Sequence, residues 1–136
     1  MQPLAIRFRA ARKRIVAETE AEVQAALSTA EQEADRAGTM SLVDLEAANG
    51  NRLSILVGGA ETLLGWRYAG DVDARFLTQG DPAARGTVPC SRDVGTVLQC
   101  PRWALIARED GMAALNEFTA SNEIPACVTW ADAPPH

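Results

Sequence analysis

The first hydrophobic pattern along the chain has a period of two. Three apolar residues alternate with alanine and two arginines over residues 4–9. This alternation predicts a half-exposed strand whose arginines lie on the wet face. The basic segment continues through Arg12, Lys13 and Arg14, and a patch for DNA or an anionic lipid surface is the alternative. The segment lacks interleaved aromatic residues that stack on bases, so we favour the solvated strand face.

A helical pattern follows. Thr19 and Glu22 form the motif T-x-x-E, which is typical of a capping box in the first turn of a helix. Small apolar residues then recur at spacings of three and four, and they predict one narrow stripe that can lie close to a sheet. The stripe consists of Val23, Ala26, Leu27, Ala30, Ala34 and Ala37. Gly38 is expected to end the helix in a left-handed cap.

The middle of the chain predicts a β-meander. Asn49-Gly50 stands between two apolar runs, and both residues tolerate the positive φ of a tight primed turn, so they predict a hairpin. Gly70-Asp71 predicts a later turn. The expected strands cover residues 42–45, 53–57, 62–69 and 74–78.

The following segment is less regular. Residues 80–95 are rich in Gly, Pro, Asp and Arg and predict a loop. Short strands are expected after this loop, at residues 96–98 and 103–105.

The C-terminal part predicts a second helix and a last strand. Glu109 and Asp110 favour a helix start, because carboxylates are stabilised at the positive end of the helix dipole. The helix is expected to reach Ser121, with a buried side made of Met112, Leu115, Phe118 and Thr119. The last strand is expected over residues 126–130, and the tail from about residue 132 to 136 should fray.

These elements predict an α+β fold in one domain over residues 1–136, a mostly antiparallel β-meander sheet packed against an early helix and a late helix. A chain of 136 residues that is 47% hydrophobic can bury one core. No apolar run approaches the roughly 20 residues that span a bilayer, and no secretory signal pattern is present. We therefore expect a cytoplasmic protein that does not bind membranes.

Charge is distributed unevenly along the chain. Five of the 13 basic residues precede Glu18, and the remaining 122 residues carry 8 basic and 18 acidic residues, a net charge of −10. A field of that sign repels nucleic acid and favours a basic protein partner. The alternative is that the acidic residues serve solubility alone.

The cysteines are Cys90, Cys100 and Cys127, an odd number without the C-x-x-C spacing of a zinc site. We expect buried free thiols in a reducing cytoplasm. A bridge between Cys90 and Cys100 across a hairpin remains the open alternative.

The sequence offers little for catalysis. The only histidine is His136, the last residue, so a Ser-His or Cys-His pair would require an ordered C-terminus. The only lysine is Lys13, and the phosphate-binding frame G-x-x-x-x-G-K-[ST] is absent. Cysteines and carboxylates also lack metal-ligand spacing. We expect neither an enzyme nor a bound cofactor or metal.

Two residue pairs are candidates for binding. Asp71 and Asp73 share a strand face by their spacing of two, and a solvated turn or an acidic docking surface is favoured over an acid-base pair. Trp66 and Tyr68 share a face in the same way. Such aromatics become hot spots when a partner buries them, or else they fill the core side of a sheet.

Residues 101–130, PRWALIAREDGMAALNEFTASNEIPACVTW, contain in this order a strand-like run, an amphipathic helix and a closing strand that ends at Trp130. Together with Gly65-Trp66 and the leading strand and helix, it resembles the family numbered first among the immunity proteins of bacterial polymorphic toxin systems. The family usually has glycine where this chain has Asn122, and asparagine also fits a left-handed helix cap.

The resemblance implies a non-enzymatic protein that binds and neutralises a toxin encoded beside it, often a nuclease or a nucleic-acid deaminase with a basic cleft. The predicted interface is acidic and aromatic and consists of Trp66, Tyr68, Asp71, Asp73, Asp81 and Asp93. The alternative is a stand-alone accessory or ligand-binding α+β module with an apolar pocket. The oligomeric state stays open, since an exposed sheet edge can pair with a second copy or with the toxin.

Overall fold

The computed structural model describes residues 1–9, 13–71, 75–93 and 95–133. They form two helices, α1 (Glu20–Ala37) and α2 (Arg108–Ser121), and a set of short and medium strands. The strands are β1 (Leu4–Arg7), β2 (Ile15–Ala17), β3 (Met40–Ala47), β4 (Arg52–Val57), β5 (Glu61–Thr62), β6 (Leu64–Arg67), β7 (Phe76–Thr78), β8 (Thr87–Asp93), β9 (Thr96–Pro101), β10 (Ile106–Ala107) and β11 (Trp130–Asp132).

Nine of these strands form one sheet, whose main path has the order β11-β7-β6-β4-β3-β1-β2. β8 and β9 form an antiparallel hairpin, and β8 joins the sheet through a short parallel contact with β3. β5 and β10 form a separate two-stranded ladder. The neighbours along the main path are antiparallel, so the predicted α+β class with a mostly antiparallel sheet and two helices is confirmed.

The two ends of α1 confirm the signals that predicted it. Thr19 Oγ1 accepts a hydrogen bond from the Glu22 amide at 3.2 Å, and the Glu22 carboxylate accepts one from the Glu18 amide at 2.6 Å. Gly38 takes a φ of 67° and caps the helix in the left-handed conformation. The predicted stripe is buried except for Ala37, which is exposed in the last turn.

Apolar layers lie on both faces of the sheet, because successive side chains of a strand point to opposite sides. The larger layer lies between the sheet and the helices. Its buried members include Leu4, Ile6, Val43, Leu45, Leu53, Ile55, Leu64, Trp66, Leu115 and Phe118. The smaller layer lies on the other face beneath the β8–β9 hairpin and includes Leu42, Leu56, Leu63, Val88, Cys90 and Cys100. The hairpin therefore covers part of the face that the helices leave open.

Two N-terminal arginines are held by carboxylates. Arg9 Nε lies 3.5 Å from a Glu33 oxygen on α1, and an Arg14 nitrogen lies 3.8 Å from a Glu46 oxygen on β3. These ion pairs reduce the local positive charge of the segment, and the sequence pattern did not reveal them.

The prediction of a loop over residues 80–95 is wrong for Thr87–Asp93, which form β8. Pro89 within the segment lacks an amide donor, and glycines flank it, so the local signals favour a loop. The strand forms because it pairs with β9 along nearly its whole length and with β3 at Cys90 and Ser91. These contacts come from parts of the chain that a local pattern does not include.

Three strand boundaries also differ from the prediction. Residues 103–105 are not a strand: Arg102–Ala104 form a 3₁₀ turn, which the Leu105 amide closes by donating to the Arg102 carbonyl at 3.2 Å. The expected strand 62–69 is divided into β5 and β6. The expected strand 74–78 begins at Phe76 in the structure, and Ala74 lies outside the described residues.

The last strand begins later than predicted. The expected range 126–130 is wrong except for Trp130, which opens β11. The amides of Ala126 and Cys127 donate to the Glu117 carboxylate of α2 at 3.1 and 3.2 Å. Because a side chain of α2 satisfies these amides, the segment follows the helix before it reaches the sheet.

The hairpin predicted at Asn49-Gly50 is confirmed, but its turn is not a primed one. Gly50 takes a φ of 91°, whereas Asn49 keeps a negative φ. The Gly50 amide donates to the Ala47 carbonyl at 2.9 Å, and the Asn49 side chain accepts from the Asn51 amide at 3.0 Å. Both primed turns require positive φ at the first central residue, which Asn49 does not have. The Ala47 amide donates to the Asn51 carbonyl at 2.9 Å, so the loop is wider than a two-residue turn.

The prediction of three buried free thiols is wrong. Cys90 and Cys100 are joined by a disulfide across the β8–β9 hairpin, which was the alternative left open. Cys127 is a free and exposed thiol. Partial desolvation of the thiol, followed by the hydrogen bond and charge of the neighbouring Glu117 carboxylate, raises the pKa of Cys127, so its thiol stays protonated at neutral pH.

Counting reactive thiols tests this arrangement. Under non-reducing denaturing conditions, one of the three cysteines should react with a maleimide, and all three should react after reduction. Intact mass spectrometry gives the number of adducts, and a Cys127→Ser variant should give none before reduction. Three adducts on wild-type protein purified without reductant would contradict the disulfide.

Candidate partner-binding surface

The strand directions divide the predicted interface residues between the two ends of the sheet. β6 and β8 run in the same direction as β3, whereas β7 runs against it. Tyr68 and Asp71 follow β6 and Asp93 ends β8, so these three residues lie toward one end. Asp81 follows β7 and lies toward the other end. Asp73 lies outside the described residues, and the rest of the predicted set does not share one surface.

Trp66 belongs to the core. Its side chain is 2% exposed, and its ring packs edge-to-face with Phe118 of α2 at 5.5 Å between centroids. Its ring also lies 6.4 Å from that of Trp130. The expectation that Trp66 anchors a partner therefore needs correction, because a partner cannot reach this ring in the folded structure. Of the two roles that the sequence left open for Trp66, the structure gives the core role.

Tyr68 is the exposed member of the aromatic pair. Its side chain is 40% exposed, and its ring makes edge-to-face contacts with Trp66 at 5.6 Å and Phe76 at 6.1 Å. The two neighbours restrict the ring while one side stays open to solvent. A restrained aromatic loses little conformational entropy when a partner covers it, which is the property of a good anchor.

The turn after Tyr68 places Asp71 beside it. The Asp71 amide donates to the Tyr68 carbonyl at 3.2 Å, and Gly70 takes the positive φ of 75° that the turn requires. Asp71 is half-buried. An aromatic ring and a carboxylate therefore stand together where β6 ends.

Asn51 holds this turn in place. Its side-chain oxygen accepts from the Ala69 amide at 3.0 Å, and its side-chain nitrogen donates to the Asn122 carbonyl at 2.9 Å. Asn51 is 7% exposed, and Asn122 is the left-handed cap of α2, with a φ of 58°. One buried amide thus joins the β3–β4 turn, the end of β6 and the end of α2. The local sequence does not reveal this role, although Asn49 and Asn51 stand on the two sides of a glycine.

The other two aspartates have separate settings. Asp81 Oδ1 accepts from the Ala83 amide at 2.9 Å, a bond typical of a loop-stabilising aspartate. Asp93 is exposed at the tip of the β8–β9 hairpin, where its carbonyl accepts from Ser91 Oγ at 3.1 Å. Asp93 can contact a partner that also covers the hairpin, whereas Asp81 is placed to serve its own loop.

A cluster of arginines lies on the sheet face opposite the helices, and the sequence analysis did not find it. Arg52, Arg67, Arg75 and Arg92 line a small cavity of about 80 Å³ together with Asp44 and Ser54. The available signal was the alternation in β4, where Arg52 and Ser54 alternate with apolar residues, and the position of Arg67 beside Trp66 in β6. The register of the sheet was needed to show that these strands bring the arginines together.

The arginines of this cluster repel one another. Burial is the largest cause of the lowered pKa of Arg75. The neighbouring Arg67 and Arg92 lower it further, and Asp44 opposes the shift. A lowered arginine pKa means that desolvation and neighbouring like charges disfavour the charged form. The positive field is thus concentrated on one part of a chain whose net charge is −5.

The described residues do not bring three or more potential metal-ligating side chains into one group. Neither α1 nor α2 combines the length and the apolar character that crossing a membrane requires. What the sheet presents is an exposed aromatic with a carboxylate at one end and an arginine cluster on one face.

The comparison with protein families identifies the class. The family model described as Immunity protein Imm1 matches residues 11–132, and the chain therefore belongs to this family of immunity proteins. No curated protein matches the chain. Membership confirms the resemblance drawn from the C-terminal stretch and supports an immunity role. Proteins of this class are generally non-enzymatic, and membership implies binding to a cognate toxin.

Replacing Asn51 tests whether one amide holds the turn. Asn51→Ala removes the acceptor of the Ala69 amide and the buried amide donor to the Asn122 carbonyl, and we expect the free energy of unfolding to fall by about 2 kcal/mol. Amide exchange at Ala69 should become faster. Asn116→Ala, on the exposed side of α2, should stay within about 0.5 kcal/mol of wild type in the same urea titration. Equal stability of the two variants would remove Asn51 from this role.

Proposed function

We propose that this protein binds and neutralises a cognate bacterial toxin of a polymorphic toxin system, without catalysing a reaction. The observation that carries the proposal is the match of residues 11–132 to an immunity-protein family. An inhibitor of this kind acts stoichiometrically, so its function depends on a stable interface. A standard interface of this type buries roughly 1,200 to 2,000 Å² in total and takes most of its affinity from a few central side chains.

We further propose that the toxin is basic and acts on nucleic acid, as a nuclease or a deaminase. Residues 15–136 carry a net charge of −10, which speeds the encounter with a basic partner and opposes binding of nucleic acid to the inhibitor itself. The inhibitor would then occupy a surface that normally faces a phosphate backbone.

The cytoplasm is the proposed location, because a toxin that reaches nucleic acid must be met there. The Cys90–Cys100 disulfide argues in the other direction, since disulfides persist mainly in oxidising compartments. Trapping thiols with a maleimide during cell lysis shows which state the protein has in the cell.

The docking end that we propose is the one where β6 ends. Tyr68 supplies a restrained, 40% exposed ring, and Asp71 supplies a carboxylate in the same turn. Asp93 lies toward the same end of the sheet on the hairpin. Asp73 follows Asp71 closely in the sequence and remains part of the proposed interface. Trp66 supports the ring of Tyr68 from below, at a centroid distance of 5.6 Å, and does not touch the partner.

A growth assay tests the proposed function. The toxin domain encoded beside this gene is expressed in a susceptible bacterium with and without the protein. We expect growth arrest by the domain alone, rescue by co-expression, and a complex that co-purifies at one to one. Toxicity without rescue, or rescue without a complex, would contradict neutralisation by binding.

A pair of charge reversals tests the docking end. Asp71→Lys should slow association with the toxin domain about threefold to tenfold at low salt, because it places like charge against a basic partner. Asp81→Lys is the matched control at the opposite end of the sheet; it changes the net charge equally and should slow association less than Asp71→Lys does. Stopped-flow or surface plasmon resonance measures both rates, and melting curves check that both variants fold. The reverse ranking of the two variants would move the interface to the other end.

A further inference from the structure

The sheet face opposite the helices carries a cleft whose two halves differ in chemistry. One row of paired residues, Asp44, Ser54, Gly65 and Leu77, crosses β3, β4, β6 and β7 and forms its floor. Gly65 has no side chain, so the floor is lowest where the two halves meet. The β8–β9 hairpin stands along one side of the row. The cleft is thus built from the sheet and the hairpin together.

The polar half holds more positive than negative charge among the described residues. The cavity of about 80 Å³ there is lined by four arginines and by the single carboxylate of Asp44. Asp44 Oδ1 already accepts a hydrogen bond from Ser54 Oγ at 2.5 Å and lies 3.9 Å from an Arg92 nitrogen. Arg52 is paired with Glu46 at 3.2 Å. Among the described residues, Arg75 and Arg92 have Asp44 as a neighbouring carboxylate, and Arg67 lies close enough to Arg75 to repel it.

The geometry of these three arginines suits an oxyanion. Arg92 Nε is buried and has no hydrogen-bond partner, and the lowered pKa of Arg75 reports crowding by Arg67 and Arg92. A carboxylate or phosphate group presents several acceptor oxygens to guanidinium forks and relieves their repulsion. Such an anion would offset the repulsion between the three guanidinium groups.

The other half of the cleft is apolar and larger. Its cavity of about 260 Å³ is lined by four leucines, Leu42, Leu63, Leu77 and Leu98, with Pro101 and one sulfur of the disulfide beside them. Both cavities are lined by Ser54, Gly65, Arg75, Leu77 and Arg92, so the two halves adjoin. An elongated molecule can therefore reach the arginines with one end while the other end lies among the leucines.

We propose that this cleft binds a small amphipathic organic anion, with its carboxylate or phosphate group on Arg67, Arg75 and Arg92 and its aliphatic body among the leucines. Ionic headgroup and apolar body are both required, since either half alone offers little binding energy at this size. The site does not depend on the toxin, and its occupation is measured on the purified chain alone.

Titration calorimetry with sodium octanoate tests the proposal. We expect saturable binding of one molecule per chain with a Kd below about 1 mM. Acetate has the charge without the apolar body, and 1-octanol has the body without the charge. Each should bind at least about tenfold more weakly, because 1-octanol lacks the charge-assisted hydrogen bonds and acetate lacks the methylene groups that the leucines would bury. Octyl phosphate, with the same body and a second kind of oxyanion, should bind in the same range as octanoate.

Variants locate the headgroup. Arg75→Gln should weaken octanoate binding about tenfold or more, and Arg92→Gln should do the same. Arg36→Gln, in the last turn of α1, removes an equal charge away from the cleft and should leave the Kd unchanged. Thermal melts check that each variant folds. Should one cleft variant fail to fold, the other two cleft positions, including Arg67→Gln, still report on the site.

Three outcomes would overturn the proposal: no saturable binding of either octanoate or octyl phosphate, equal binding of octanoate and 1-octanol, or equal octanoate binding by Arg75→Gln and wild type. Growth rescue by Arg75→Gln is measured alongside. Rescue with lost octanoate binding separates this site from toxin neutralisation, and failure of rescue by the wild type leaves the octanoate result standing on its own.

Discussion

The side-chain amide of Asn51 is the interaction on which the proposed docking end depends. It binds the Ala69 amide with its oxygen and the Asn122 carbonyl with its nitrogen, and Asn51 and Asn122 are both buried. A buried amide with good partners specifies one arrangement, because every alternative leaves a polar atom without a partner. The position of Tyr68 relative to α2 is therefore set by hydrogen-bond geometry, while the apolar contacts of Trp66 supply the bulk of the burial beneath it.

Local signals predicted the elements whose causes are local. The capping box of Thr19 and Glu22, the left-handed Gly38 and the glycine turn at Gly50 are each decided within a few residues. β8 was missed because its pairing partners are β9 and β3, and Pro89 misleads a local reading. The late start of β11 follows from a carboxylate on α2, which no strand pattern contains.

The candidate site was predictable only in part, because contacts between distant parts of the chain also decide which of its residues are exposed and which lie together. The sequence placed Tyr68 beside Asp71, since two close positions stay close in any fold. It could not separate buried Trp66 from exposed Tyr68, because their shared face is decided by what packs on it. The arginine cluster was hidden by the overall negative charge of the chain. Strand register gathers residues from β4, β6 and β8 on one face, so a net charge says little about the field at any one place.

The disulfide gives the β8–β9 hairpin a stability of its own. In the chain-entropy view, closing a loop with a sequence separation of 10 contributes about 3 kcal/mol by restricting the unfolded chain. The hairpin meets β3 at two paired positions, Met40 with Cys90 and Ser41 with Ser91. The cross-link ties β8 and β9 to each other, whereas the apolar layer beneath them supplies most of the attachment of the hairpin to the sheet. Local opening of the hairpin as one unit would expose the four leucines that line the apolar cavity, without separating β8 from β9.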